Sequence, residues 1–107
     1  MPRKGLLHIA VLTVIKGKPA HGSEIHRRLT EKLNVNADKP VVYTVLRKME
    51  ELAYLKSEWD TKSNGPAKRI YKITTRGLNH LKNTLEDLEK IKNVISLILS
   101  DNRGGET

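Results

Sequence analysis

The sequence predicts a mainly α fold carrying one β-hairpin, an α+β domain. Three features lead there. A length of 107 residues suits one modest core. Apolar residues recur at helical spacing in three early stretches and one long late one. Between residues 55 and 73 the period changes, around a dense group of turn formers. Hydrophobic residues make up 37% and charged residues 30%, which sets the chain apart from disordered tails and from membrane proteins.

The first helix rests on Leu6, Leu7, Ile9, Ala10, Val11, Leu12, Val14 and Ile15. This run is too densely apolar for a surface helix, so it is covered on most sides. Lys16-Gly17-Lys18-Pro19-Ala20 ends it, with Gly at the stop and Pro just beyond. The run from Gly5 to Ile15 is only 11 residues, contains His8 and Thr13, and lacks a small-residue cleavage site. It is read as neither a signal peptide nor a bilayer span. No membrane partner is expected, and the expected location is the cytoplasm, for a prokaryotic protein or a viral one acting in its host cell.

The second helix begins near His21. Ile25, Leu29 and Leu33 recur at i, i+4 and i+8, so one narrow face is buried, with Arg27, Arg28 and Lys32 off it. Residues 34–39 are polar and interrupt the pattern. Asp38 is placed to cap a third helix whose first turn holds Pro40, where a missing N–H costs little. That helix is expected to reach Ala53 or Tyr54. Val42, Val45, Leu46, Met49 and Leu52 form its buried stripe. Val41, Thr44, Arg47, Lys48 and Glu51 face elsewhere, with Tyr43 at the boundary.

Residues 55–59 and 69–73 read as two strands joined by Asp60-Thr61-Lys62-Ser63-Asn64-Gly65-Pro66. Trp59 and Tyr54 are aromatics that close the small core of such a hairpin; the other reading of Trp59 is a ligand cavity at a dimer centre. Thr74 or Thr75 starts the last helix, with Gly77 in its first turn. Leu78, Leu81, Leu85, Leu88, then Ile91 or Lys92, Ile95 and Leu99 follow a three-four spacing, the seam of a coiled coil.

Lys and Arg number 20 against 12 Asp and Glu, a net charge of +8. Residues 1–77 hold 16 of the bases and 7 of the acids, whereas residues 78–107 hold 4 and 5. A basic body joined to a charge-balanced helix points to a polyanion partner, nucleic acid before a membrane surface. The absence of cysteine excludes thiol chemistry and Cys-based zinc sites. His8, His21, His26 and His80 show no metal-ligand spacing, and Ser23, His26 and Asp38 no catalytic one. No metal, no cofactor and no enzymatic activity are expected.

The order of helix, helix, helix, hairpin and long helix is that of a winged helix-turn-helix. The third helix then enters the major groove and the hairpin flanks it as a wing. The expected organisation is a winged helix-turn-helix DNA-binding domain over residues 1–77. A C-terminal dimerisation helix of the same compact unit follows over residues 78–100, and a flexible tail over 101–107.

Four motifs in this order resemble PadR-like winged-helix transcriptional regulators. Leu6-Leu7, Ile9-Ala10-Val11-Leu12 and Pro19-Ala20-His21-Gly22-Ser23-Glu24-Ile25 look like the family's first two helices. Asp38-Lys39-Pro40-Val41-Val42-Tyr43-Thr44-Val45-Leu46-Arg47-Lys48-Met49-Glu50 is similar to its recognition segment. Glu51-Leu52-Ala53-Tyr54-Leu55 loosely matches the following turn. Gly65-Pro66-Ala67-Lys68-Arg69-Ile70-Tyr71-Lys72-Ile73-Thr74, with Gly77 beyond, resembles the wing and the start of the last helix. Ser23 stands where the family has Tyr, Pro40 where it has Gly, and Val41 where it has Ser or Thr. The resemblance implies a homodimer joined through the last helix with help from the first. Aromatic residues that some relatives place on the last helix for flat ligands are missing, so a small-molecule effector is unsupported.

Candidate DNA contacts follow. Arg47 and Lys48 project from the recognition helix, where Arg can take guanine bidentately and either can take phosphate. Thr44 lies with them, and Val41 offers a methyl contact to thymine. Tyr43 either donates to phosphate, as the resemblance favours, or fills the core edge. Ser23, Arg27 and Lys39 lie where helix starts approach the backbone. Lys62, Ser63, Asn64, Lys68 and Arg69 form a polar and basic wing cluster. Leu78, Leu81, Leu85, Leu88, Ile91, Ile95 and Leu99 are the dimerisation candidates. The expected function is a homodimeric, sequence-specific transcriptional regulator that reads an inverted-repeat operator in duplex DNA. Repression is the expected mode, because promoter occupancy needs no activation segment. The competing readings are a winged-helix protein-interaction module and a non-specific architectural DNA binder.

Overall fold

The computed structural model describes residues 2–62 and 64–104, with side chains from residue 5 onward. Its elements run α1 (Pro2–Ile15), β1 (Ala20–His21), α2 (Gly22–Leu33), α3 (Lys39–Glu51), β2 (Leu55–Asp60), β3 (Lys68–Ile73) and α4 (Thr75–Gly104). The three strands form one antiparallel sheet in the order β1-β3-β2. This is the mainly α, winged helix-turn-helix arrangement, with the long C-terminal helix present.

The core gathers Val11, Leu12 and Ile15 of α1, Ile25 and Leu29 of α2, Val42, Leu46 and Met49 of α3, Leu55, Tyr71 and Leu81. The helical stripes therefore point inward as their spacing requires. Leu33 and Leu52, at the ends of their stripes, are exposed because each lies in the last turn or just past it.

Helix ends are closed by side chains from distant parts of the chain. Arg28 of α2 donates to the carbonyls of Val14 (2.9 Å) and Lys18 (2.8 Å), which caps α1. Asn34 ends α2 in the left-handed region (φ 54°), a conformation Asn tolerates. Asp38 occupies the N-cap of α3, but its side chain makes no capping bond. Pro40 offers no N–H, and the Val41 N–H bonds the Asp38 carbonyl instead (3.0 Å). α3 stops at Glu51, earlier than its periodicity predicts, because Ala53 turns left-handed (φ 63°). Thr74 Oγ1 donates to the Ala53 carbonyl (2.6 Å) and accepts from the Gly77 N–H (3.0 Å), so one hydroxyl closes that turn and opens α4. A Cβ on Gly77 would strike the Tyr54 carbonyl, so this close approach requires glycine.

Three expectations are corrected. The two-residue strand β1 lies where the sequence reads as loop; it is too short to show alternation and exists by pairing Ala20 with Tyr71 and His21 with Ile70. α4 continues through residues 101–104, where a tail is expected, with Asn102 donating to the Ile98 carbonyl at 2.9 Å. Residues 105–107 lie outside the described residues. Trp59 does not close the core, because Leu55 and Tyr71 already do and the hairpin carries the indole beyond them.

Candidate nucleic-acid interface

On α3, Val41, Thr44, Arg47 and Lys48 are exposed opposite the buried stripe, and Lys39 is exposed at its first residue. Thr44 Oγ1 donates back to the Pro40 carbonyl (2.9 Å), and Arg47 Nη2 donates to that hydroxyl (3.3 Å). Lys48 lies 3.9 Å from Glu51, an exposed pair worth little. Both cations remain available to a partner.

Ser23 is exposed in the first turn of α2, and Arg27 lies 3.6 Å from Glu31 on its outer side. Tyr43 lies against Gly22, where any Cβ would collide with the phenol ring. Glycine thus lets α3 place this ring beside the start of α2.

The wing is tied to the helices twice. His21, at the N-cap of α2, sets Nδ1 2.9 Å from Glu24 Oε1 and Nε2 2.9 Å from Asp60 Oδ2 on β2. The Glu24 carboxyl also accepts from the His21 backbone N–H, and that bond holds it below the usual carboxylate range. Second, Arg69 donates to Ser57 Oγ (3.0 Å), which donates to Glu50 Oε2 of α3 (2.7 Å). Burial pushes the neighbouring Tyr71 phenol up. Neither tie was legible in the sequence, since His21 and Asp60, or Glu50 and Arg69, are far apart along the chain.

These ties bring Ser23, Tyr43, Lys68 and Arg69 around one cleft of about 470 Å³ between the wing and the helices. Lys62 and Asn64 are exposed farther out, near the hairpin tip, where the Lys62 N–H bonds Asp60 Oδ1 (3.0 Å). Ser63 lies outside the described residues.

The seam on α4 divides in two. Leu81 is buried in the protomer's own core and Leu88 packs against its edge, which removes Leu81 from the free stripe. The same inward face carries Gly77, which sets the helix close to the body. Leu78, Leu85, Ile91, Ile95 and Leu99 are exposed, with Val94, Leu97 and Ile98 beside them. Among the described residues, no helix is long and apolar enough to cross a membrane.

The sequence pattern of the Transcriptional regulator PadR-like family matches residues 11–83. The chain is also similar to several solved structures. A PadR family transcription regulator from hypervirulent Clostridium difficile is 23% identical, with 87% of this chain and 97% of that one covered and a TM-score of 0.80. A conserved protein of unknown function, described as a potential transcriptional factor, is 30% identical over 94% of this chain and 90% of its own, with a TM-score of 0.81. Bacillus subtilis PadR, solved in complex with operator DNA, is 21% identical over 75% of this chain and 46% of its own, with a TM-score of 0.69.

Proposed function

The chain belongs to the transcriptional regulator PadR-like family, and from that premise we propose that it acts as a homodimeric repressor binding promoter DNA. The observation that carries this reading is the single cleft that joins Ser23 of α2, Tyr43 of α3 and the wing cations Lys68 and Arg69. The exposed face of α3 lies alongside, and such a surface suits a duplex whose groove receives a helix while its phosphates meet cations. The operator complex of the Bacillus subtilis relative supports it.

In this reading Arg47, Lys48, Thr44 and Val41 read base edges. Ser23, Arg27, Lys39, Tyr43, Lys62, Ser63, Asn64, Lys68 and Arg69 position the backbone, and affinity comes chiefly from counterion release. The exposed stripe of Leu78, Leu85, Ile91, Ile95 and Leu99 joins two protomers, since a lone domain rarely leaves such a contiguous apolar patch in water. Residues 1–77 form the binding domain and the rest of α4 the dimer arm. Two-fold symmetry then pairs the protein with an inverted repeat.

The test is to mix the purified protein with fragmented host DNA, recover bound fragments and sequence them. An enriched inverted repeat near promoters is the expected result. Recovery without a motif would replace the specific regulator with an architectural binder. No recovery at low salt would favour a protein-interaction module.

A further inference from the structure

The alternation of the hairpin sets one face against the helices. Along it, the cross-strand pairs Leu55–Ile73, Ser57–Tyr71 and Trp59–Arg69 follow one another outward. Leu55 and Tyr71 are buried, Ser57 bonds α3, and Trp59, last in the row, is 56% exposed. The indole therefore lies on the wing's inward face, on a wall of the cleft, rather than on its outer face.

The ring is also held in place. The Arg69 guanidinium sits 4.5 Å from the ring centroid, while the same group donates to Ser57 and, through it, reaches Glu50 on the recognition helix. With one N–H given to Ser57 and its face laid on the indole, this guanidinium holds the ring in place. Around the ring, the cleft presents Ser23, Tyr43 and Lys68, and among the described residues that line it none is acidic. The nearby carboxylates are engaged, Glu24 and Asp60 facing His21 and Glu50 accepting from Ser57.

We infer that Trp59 is a DNA-contacting residue, seating the deoxyribose-phosphate backbone of a duplex in this cleft, and that Arg69 acts through it as a positioning residue. An apolar ring covers the sugar, Lys68 meets the charge, and the fixed ring spares the ordering cost that a mobile one would incur on binding. The inference rests on the DNA-binding reading above and reassigns Arg69 within it.

Trp59 is the sole tryptophan, so its emission reports on this cleft alone. The experiment titrates the full-length protein with a mixed-sequence duplex at low salt. It follows the anisotropy of a dye-labelled duplex and, with unlabelled duplex, Trp59 emission. Emission should change in step with anisotropy. Trp59→Ala should weaken binding about tenfold, equivalent to about 1.4 kcal/mol, with the salt slope unchanged because no charge is lost. Trp59→Phe, which keeps an apolar ring, should retain most of the affinity. Arg69→Lys keeps the charge but loses the planar stack, so it should alter the emission of the free protein and weaken binding nearly as Trp59→Ala does.

Duplex binding with unchanged emission, and wild-type affinity in Trp59→Ala, would overturn the assignment while leaving DNA binding intact. Wild-type behaviour of Arg69→Lys would return Arg69 to a simple phosphate contact. No anisotropy rise for the wild type would overturn the DNA-binding reading and this assignment with it.

Discussion

In the body up to Gly77, the helical apolar stripes turn mostly inward and most cations turn out. Beyond Leu88, α4 leaves its apolar side chains in the open too, with Ile91, Val94, Ile95, Leu97, Ile98 and Leu99 exposed alongside its cations. The body buries its stripes because α2, α3, α4 and β3 pack on α1, and α1, α2 and β2 pack on α3. The end of α4 has no such neighbours among the described residues, and the molecule extends 63 Å along its longest axis against 25 and 22 Å across. Equal apolar periodicity thus has two outcomes, decided by what lies opposite. The body buries its apolar stripes within the protomer, and on the proposed reading a second copy covers those of the arm.

That contrast can be broken most forcefully in the core. Leu46→Ala should lower the unfolding free energy by about 2–5 kcal/mol in urea denaturation, with no dependence on protein concentration in the loss itself. A much smaller loss would mean the body is looser than its burial indicates. On the arm, Ile95→Asp with Leu99→Asp should leave the body's core packing intact and shift the sedimenting species from dimer to monomer. A dimer surviving both charges would place the interface elsewhere.

The face of α3 gives a third comparison with the core stripe behind it. Arg47→Ala should keep the fold and cost about 1–3 kcal/mol of discrimination between target and scrambled duplexes. Equal preference before and after the change would remove Arg47 from base reading. The turn after α3 offers a gain. Ala53 is left-handed, a conformation strained for any residue with a Cβ, so Ala53→Gly should raise stability by about 1 kcal/mol despite greater freedom of the unfolded chain.

The smallest effect concerns Glu24. Its folded carboxyl titrates below the ordinary value of 4.5, chiefly because the His21 N–H bonds it. A depressed folded value means the contribution is complete at neutral pH and fades as pH falls from 4.5 through the folded value. Glu24→Gln should flatten that part of the acid unfolding curve, and an unchanged curve would remove the bond from the stability account.

Much of this molecule is legible along the chain. Helical spacing in Ile25 and Leu29, or in Val42, Val45, Leu46 and Met49, identifies an inward face without reference to any neighbour. The turn formers between Asp60 and Pro66 identify the hairpin, and the excess of bases before Gly77 identifies the polyanion-facing part. These are local properties, set by backbone period, turn chemistry and charge. The tertiary structure alone decided the rest. It took Leu81 from the exposed seam into the core, made Arg28 a cap for α1, joined His21 to Asp60, and set Arg69 over Trp59. Each of these depends on a partner distant along the chain. Periodicity shows which face a side chain occupies, but packing alone shows what that face meets.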